Sequence, residues 1–147
     1  FEYANRADAL FELGRVDKAI ATLDAGVARD KDLAGAYNVR CWLLGRANRD
    51  LPKGLADCEK ALSLRPDTPS YLDSRALVYF RMGQFDRAIS DYDAALERSP
   101  ELSASLFMRG VTKRRLGRTE EGDDDIATAV AIEPEVAETF AKFGVTP

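Results

Sequence analysis

Two residue types recur in this chain at intervals that could do chemistry. Arginine stands at Arg6, Arg40, Arg75 and Arg109, and aspartate at Asp57, Asp91 and Asp125, each series stepping by 34 or 35 residues. Guanidinium and carboxylate at matched intervals have two uses. The arginines can form a ladder that grips an acidic ligand, or each can pair with an aspartate in a bidentate, partly buried bond across two packed helices. The pairing is the preferred reading. The first unit has Thr22 where the others have aspartate.

Cys41 and Cys58 are the only two cysteines. They read as neighbours on antiparallel helices of one hairpin, so they can be two buried thiols, the preferred reading, or a disulfide, which implies an oxidising compartment such as a periplasm. Two cysteines cannot build a structural zinc site. The chain has no histidine. That removes the commonest general base, the commonest transition-metal ligand and any activator for the thiols. Asp123, Asp124 and Asp125 lack the spacing and the terminal glutamate of a calcium loop. With Glu120 and Glu121 they read as the acidic start of a helix that follows a helix ending in Lys113, Arg114, Arg115 and Arg118, the signs a helix dipole favours. No phosphate loop, dinucleotide-binding glycine pattern or nucleophile elbow is present. No catalytic, cofactor or metal site is expected.

These residues must be held by regular elements, and the elements repeat. Pro66, Pro100 and Pro134 stand 34 apart, as do Gly54, Ala88 and Gly122, with Ala19 35 before Gly54. A period of that length marks a structural unit copied in tandem. In the cleanest copy, Leu72, Ala76 and Tyr79 form one helical stripe, and Phe85, Ala88, Ile89, Tyr92, Ala95 and Leu96 form another. Gly83 closes the first helix and Ser99-Pro100 ends the second. The unit is an αα-hairpin. Small residues let its helices approach: Ala7 with Ala19, Cys41 with Gly54, Ala76 with Ala88, Gly110 with Gly122. A hydrophobic fraction of 46% suffices for a continuous core, and a net charge of −4 gives no basic field for nucleic acid or anionic membrane. No apolar run is long enough to cross a membrane.

The pattern resembles the tetratricopeptide repeat. The matching run is Leu72, Arg75, Ala76, Tyr79, Ala88, Tyr92 and Pro100 in the third copy. In the fourth it is Leu106, Arg109, Gly110, Lys113, Gly122, Ile126 and Pro134. The second runs Ala36, Val39 or Arg40, Cys41, Leu44, Gly54, Cys58 and Pro66, with one extra residue in its internal turn around Asn48-Arg49. The first runs Tyr3, Arg6, Ala7, Leu10, Ala19 and Leu23, with Lys31 in place of proline. The resemblance implies a right-handed all-α solenoid of about nine helices in one array over residues 1–147. The repeats fall at about 1–31, 34–67, 69–100 and 103–134. Val136, Phe140 and Phe143 mark a capping helix over 135–144.

The resemblance also implies a concave face lined by the first helix of each pair. Projected onto this chain, that face comprises Asn5, Asp8, Phe11, Asn38, Trp42, Arg46, Asp73, Leu77, Phe80, Phe107, Met108, Val111 and Arg114, all expected to be exposed; the alternative for Trp42 and Phe107 is packing between neighbouring helices. Some family members clamp the carboxylate end of chaperone tails with Lys, Asn and Arg; here Ala4, Asp8, Val39, Ser70 and Ser74 stand at those places, so that clamp is absent. The expected function is a non-catalytic protein-interaction scaffold binding an extended or helical peptide with apolar anchors. The alternative is a structural or self-associating module. Partners are another protein or peptide, without nucleic acid or membrane insertion. The chain opens inside a helical pattern at Phe1 and reads as a piece of a longer protein. Its strings are bacterial in style, which leaves cytoplasm and periplasm or envelope both open.

Overall fold

A computed structural model describes residues 2–147. Its described residues form nine α-helices and no strand: α1 Glu2–Glu12, α2 Val16–Arg29, α3 Ala34–Ala47, α4 Leu51–Leu64, α5 Pro69–Arg81, α6 Phe85–Arg98, α7 Ser103–Arg115, α8 Thr119–Ile132 and α9 Val136–Ala141. The first eight pair as α1–α2, α3–α4, α5–α6 and α7–α8, and each pair packs on the next, so the molecule is an all-α solenoid.

Residue size sets the approach of the two helices in each pair. Ala7, Ala19, Cys41, Ala76 and Ala88 are completely buried at the crossings. The tightest crossing is α7 on α8. A methyl group added at Gly110 would lie 2.6 Å from the Gly122 carbonyl, and one at Gly122 would lie 2.5 Å from the Gly110 carbonyl. Neither backbone oxygen can retreat without breaking its helix.

Three hairpin turns carry glycine at positive φ: Gly14 at 74°, Gly83 at 76° and Gly117 at 81°. The second turn differs. Asn48 and Asp50 adopt φ of 54° and 47° instead, a conformation their short polar side chains tolerate. The extra residue of this repeat does not enlarge the turn, as the sequence suggested. It lengthens the helix: Arg40, Arg75 and Arg109 each stand seventh in their helices, but α3 has 14 residues where α5 and α7 have 13.

The cysteines correct the preference for free thiols. Cys41 of α3 and Cys58 of α4 are joined in a disulfide with a Cα–Cα distance of 5.6 Å. Gly54 explains the proximity. An added methyl there would already touch Leu44 Cβ at 3.4 Å, so the two helices lie close enough one turn further on for the sulfurs to bond.

The main core lies towards the C-terminal half. It joins Leu77, Phe80, Tyr92, Leu106, Phe107, Met108 and Val111 with Val136, Phe140 and Val145. The last three come from α9 and the residues after it. That segment sits on the odd-numbered helices rather than only closing the end of the stack.

Candidate functional site

The recurring charges form a ladder of pairs inside the hairpins. Arg40 donates Nε and Nη2 to the two oxygens of Asp57, both at 2.7 Å. Arg75 reaches Asp91 in the same way at 2.8 and 2.9 Å, and Arg109 reaches Asp125 at 2.8 and 2.9 Å. The three carboxylates are buried. Each bond raises its arginine's pKa. Burial opposes the Asp125 charge, but Arg109 and Lys113 outweigh it and hold the carboxyl below its usual range. Arg6, facing Thr22 in the first hairpin, is exposed.

The spare guanidinium nitrogens reach backwards. Arg40 Nη1 bonds Asp24 of α2 at 3.1 Å, and Arg109 Nη1 bonds Asp93 of α6 at 3.0 Å. Arg75 has Glu59 of α4 in its field at the corresponding place. Arg40 and Arg109 therefore tie their own hairpins to the ones before them, while Arg75 bonds only within its own. Asp24, Glu59 and Asp93 recur at the chain's period, so this signal was available in the sequence and was missed there.

The face made by α1, α3, α5 and α7 holds the residues projected onto a groove. Asn5, Asp8 and Arg114 are exposed; Phe11, Asn38, Trp42 and Asp73 are half-buried. Leu77, Phe80, Phe107, Met108, Val111 and Arg46 are buried, which corrects the expectation that all of these stand open. Phe80 packs on Phe85 and Leu77 lies against Gly45 of α3, while Phe107 and Arg46 meet the C-terminal segment. Phe140 stacks on Phe107 with ring centroids 5.3 Å apart. Phe143 meets Phe11 of α1 edge to face at 5.8 Å. Residues at opposite ends of the chain are thus in contact, and the segment crosses all four odd-numbered helices.

Arginines hold its backbone. Arg81 donates from Nη2 to the Phe143 carbonyl at 2.6 Å, and also caps α3 through the Gly45 and Arg46 carbonyls at 2.9 and 3.1 Å. None of these acceptors is a carboxylate, and desolvation lowers the pKa of Arg81. Arg115 donates to the Thr146 carbonyl at 3.0 Å. The Arg46 guanidinium lies 4.6 Å from the Phe11 ring centroid, 5.6 Å from Trp42 and 5.5 Å from Phe143. Its Nη2 bonds Asp8 at 2.6 Å, while its buried Nε has no hydrogen-bond partner among the described residues. A guanidinium ringed by three aromatic faces is a strong cation–π arrangement.

Asp73 does not line an open groove either. The Ser105 hydroxyl donates to its Oδ1 at 2.5 Å, joining α5 to α7. Burial raises the Asp73 pKa to about 6, a rise the Ser105 bond restrains. Arg114 sits at the rim, 3.5 Å from Asp123.

The fold defines a class: tandem helical hairpins stacked into a solenoid, with one helix of each pair lining a common face. The tetratricopeptide repeat family matches residues 3–33 and 43–109, and the chain belongs to it. Among solved structures, it is similar to TTC0263, a thermophilic tetratricopeptide-repeat protein of Thermus thermophilus. That TM-score is 0.79 at 22% identity, covering 97% of this chain and 78% of that one. MamA gives 0.70 at 20% identity, covering 92% and 79%. The first tetratricopeptide-repeat domain of human RPAP3 gives 0.70 at 19%, covering 80% and 92%. At these identities the likeness is one of fold. No curated protein matches the chain in sequence.

Proposed function

We propose that this array is a non-catalytic protein-interaction scaffold whose odd-helix face receives a peptide segment of a partner. One observation carries the reading: that face already seats a peptide segment, residues 136–146 of the chain itself, through two phenylalanines and two arginine-to-carbonyl bonds. Bonds to carbonyl oxygens do not depend on the side chains of the segment that supplies them. The same contacts therefore serve another chain. The arginine–aspartate ladder has a structural role, because its donors are turned into the hairpins and satisfied there.

The reading is tested by photo-crosslinking. A crosslinking amino acid is placed at Asn5 on the face and, for comparison, at Glu97 on an even-numbered helix; both sites are exposed. Partner adducts are expected from position 5 and not from position 97 in extract of the source cells. Adducts from position 97 alone would move the interaction to the opposite side and overturn the reading.

A further inference from the structure

We propose that the C-terminal segment Val136–Thr146 is a displaceable strap, an internal stand-in for the partner. What replaces it is an acidic segment carrying two phenylalanines three residues apart. This rests on the reading of the odd-helix face as the interaction surface, and it states what that surface takes and what controls access to it.

The strap's own seat sets the chemistry. Phe140 fills the place against Phe107, and Phe143 fills the place between Phe11 and the Arg46 guanidinium. Those two rings, three residues apart, are the anchors. The polar contacts favour a different occupant. Arg81 and Arg115 meet the strap only through carbonyl oxygens, and Arg46 keeps an unpartnered buried Nε beside its single bond to Asp8. Three guanidinium groups thus face the strap, which brings no carboxylate to any of them. A segment with carboxylates flanking its phenylalanines gives these guanidinium groups charged acceptors, able to bind bidentately, in place of neutral carbonyl oxygens. That difference supplies the differential affinity without which no occupant can displace another.

The strap is also built to leave. Its only helix, α9, has six residues, far fewer than an isolated helix needs in water. Ala141, Lys142, Gly144 and Thr146 are exposed, Phe143 is half-buried, and Phe140 and Val145 are buried. While it is seated, an external segment binds only the fraction of molecules with an open face, and its apparent affinity is reduced by that fraction.

The experiment uses the full chain and fluorescence anisotropy with three labelled peptides. One has the sequence of residues 135–147. The second carries Lys142→Glu and Thr146→Asp in that peptide, and the third carries Phe140→Ala and Phe143→Ala on the acidic background. The protein is used as wild type and with Phe143→Ala or Phe143→Leu, each checked by circular dichroism for retained helix. The acidic peptide is expected to bind the Phe143→Ala chain about tenfold or more tightly than wild type. Phe143→Leu is expected to lie between. The acidic peptide should exceed the unaltered one, and the peptide lacking phenylalanines should not bind. Equal affinity for wild-type and variant chains would overturn the strap. Equal affinity of the acidic and unaltered peptides, or no binding by either, would overturn the stated partner chemistry. Partner crosslinks at position 5 that persist alongside such a failure would leave the interaction face standing and sink this inference alone.

Discussion

Asp91 and Asp73 show how differently two carboxylates behave in this array. Asp91 is buried and receives two bonds from Arg75. Removing it leaves a half-buried guanidinium without its partner, so Asp91→Ala is expected to cost about 2–3 kcal/mol in urea unfolding, below the full penalty of a wholly buried pair because Arg75 retains some water. The first hairpin offers the converse test. Thr22→Asp gives Arg6 the carboxylate the other repeats have, and is expected to raise stability by a few tenths to about 1 kcal/mol. A loss of stability there would mean that the first hairpin is not spaced like the others.

Asp73 has only a serine hydroxyl, and its pKa rises to about 6 through burial. An unfolded aspartate titrates near 3.9. The folded state therefore holds the proton more tightly, and this group's contribution is fully present below about pH 4 and is lost as pH rises through about 6. Asp73→Asn is expected to be more stable than wild type at pH 7 by about 1–3 kcal/mol, with the difference shrinking towards pH 4. Unfolding measured at pH 4, 5.5 and 7 checks this. A difference independent of pH would show that the effect is packing. Asp125 has the opposite sign: its lowered pKa adds stability above about pH 4 that disappears on acidification.

At the scale of the helix pair, closeness of approach decides stability. Ala88 is completely buried against α5, so Ala88→Leu is expected to cost about 1–3 kcal/mol by overpacking. Gly110→Ala is the sharper probe, since its methyl meets a backbone carbonyl at 2.6 Å. A melting curve unmoved by Gly110→Ala would refute the close crossing. The disulfide clamps one such pair across a sequence separation of 17. Loop-closure entropy for that span gives about 3 kcal/mol lost on reduction, measurable by urea unfolding with and without reductant.

The helix pairs were legible in the sequence because their causes are local and repeated. Glycine or proline punctuates each copy, and small residues fall at each crossing. The arginine–aspartate pairs were legible for the same reason, since their partners lie 16 or 17 residues apart within a hairpin. The strap was not legible. Val136, Phe140 and Phe143 announced an apolar stripe needing cover, but periodicity does not say which surface covers it. The contact of Phe143 with Phe11 depends on how four hairpins curve together, and no repeat unit encodes that. The oxidation state of Cys41 and Cys58 was open because the small Gly54 permits the approach without requiring a bond.

At the scale of the molecule, the strap decides whether the solenoid is finished. With it seated, Leu77, Phe107, Met108 and Val111 are almost wholly buried. Removing residues 135–147 would take Val136, Phe140 and Val145 out of the cluster these residues share and strip the stacked ring from Phe107, leaving an apolar surface there. Surfaces of that kind draw partners or copies of the same chain. The truncated array is expected to have a lower melting temperature than the full chain and, where it remains folded, a mass that rises with concentration in sedimentation equilibrium. The full chain should keep a constant mass over the same range. The comparison separates two roles for the face. If the truncated array associates and the residue 135–147 peptide, added in excess, returns it to a single mass, then one strap-shaped segment satisfies the face and self-association is what happens when none is available. If the full chain itself associates with its strap seated, the contact lies elsewhere, and the array works as a self-assembling spacer rather than a receptor for a partner's segment.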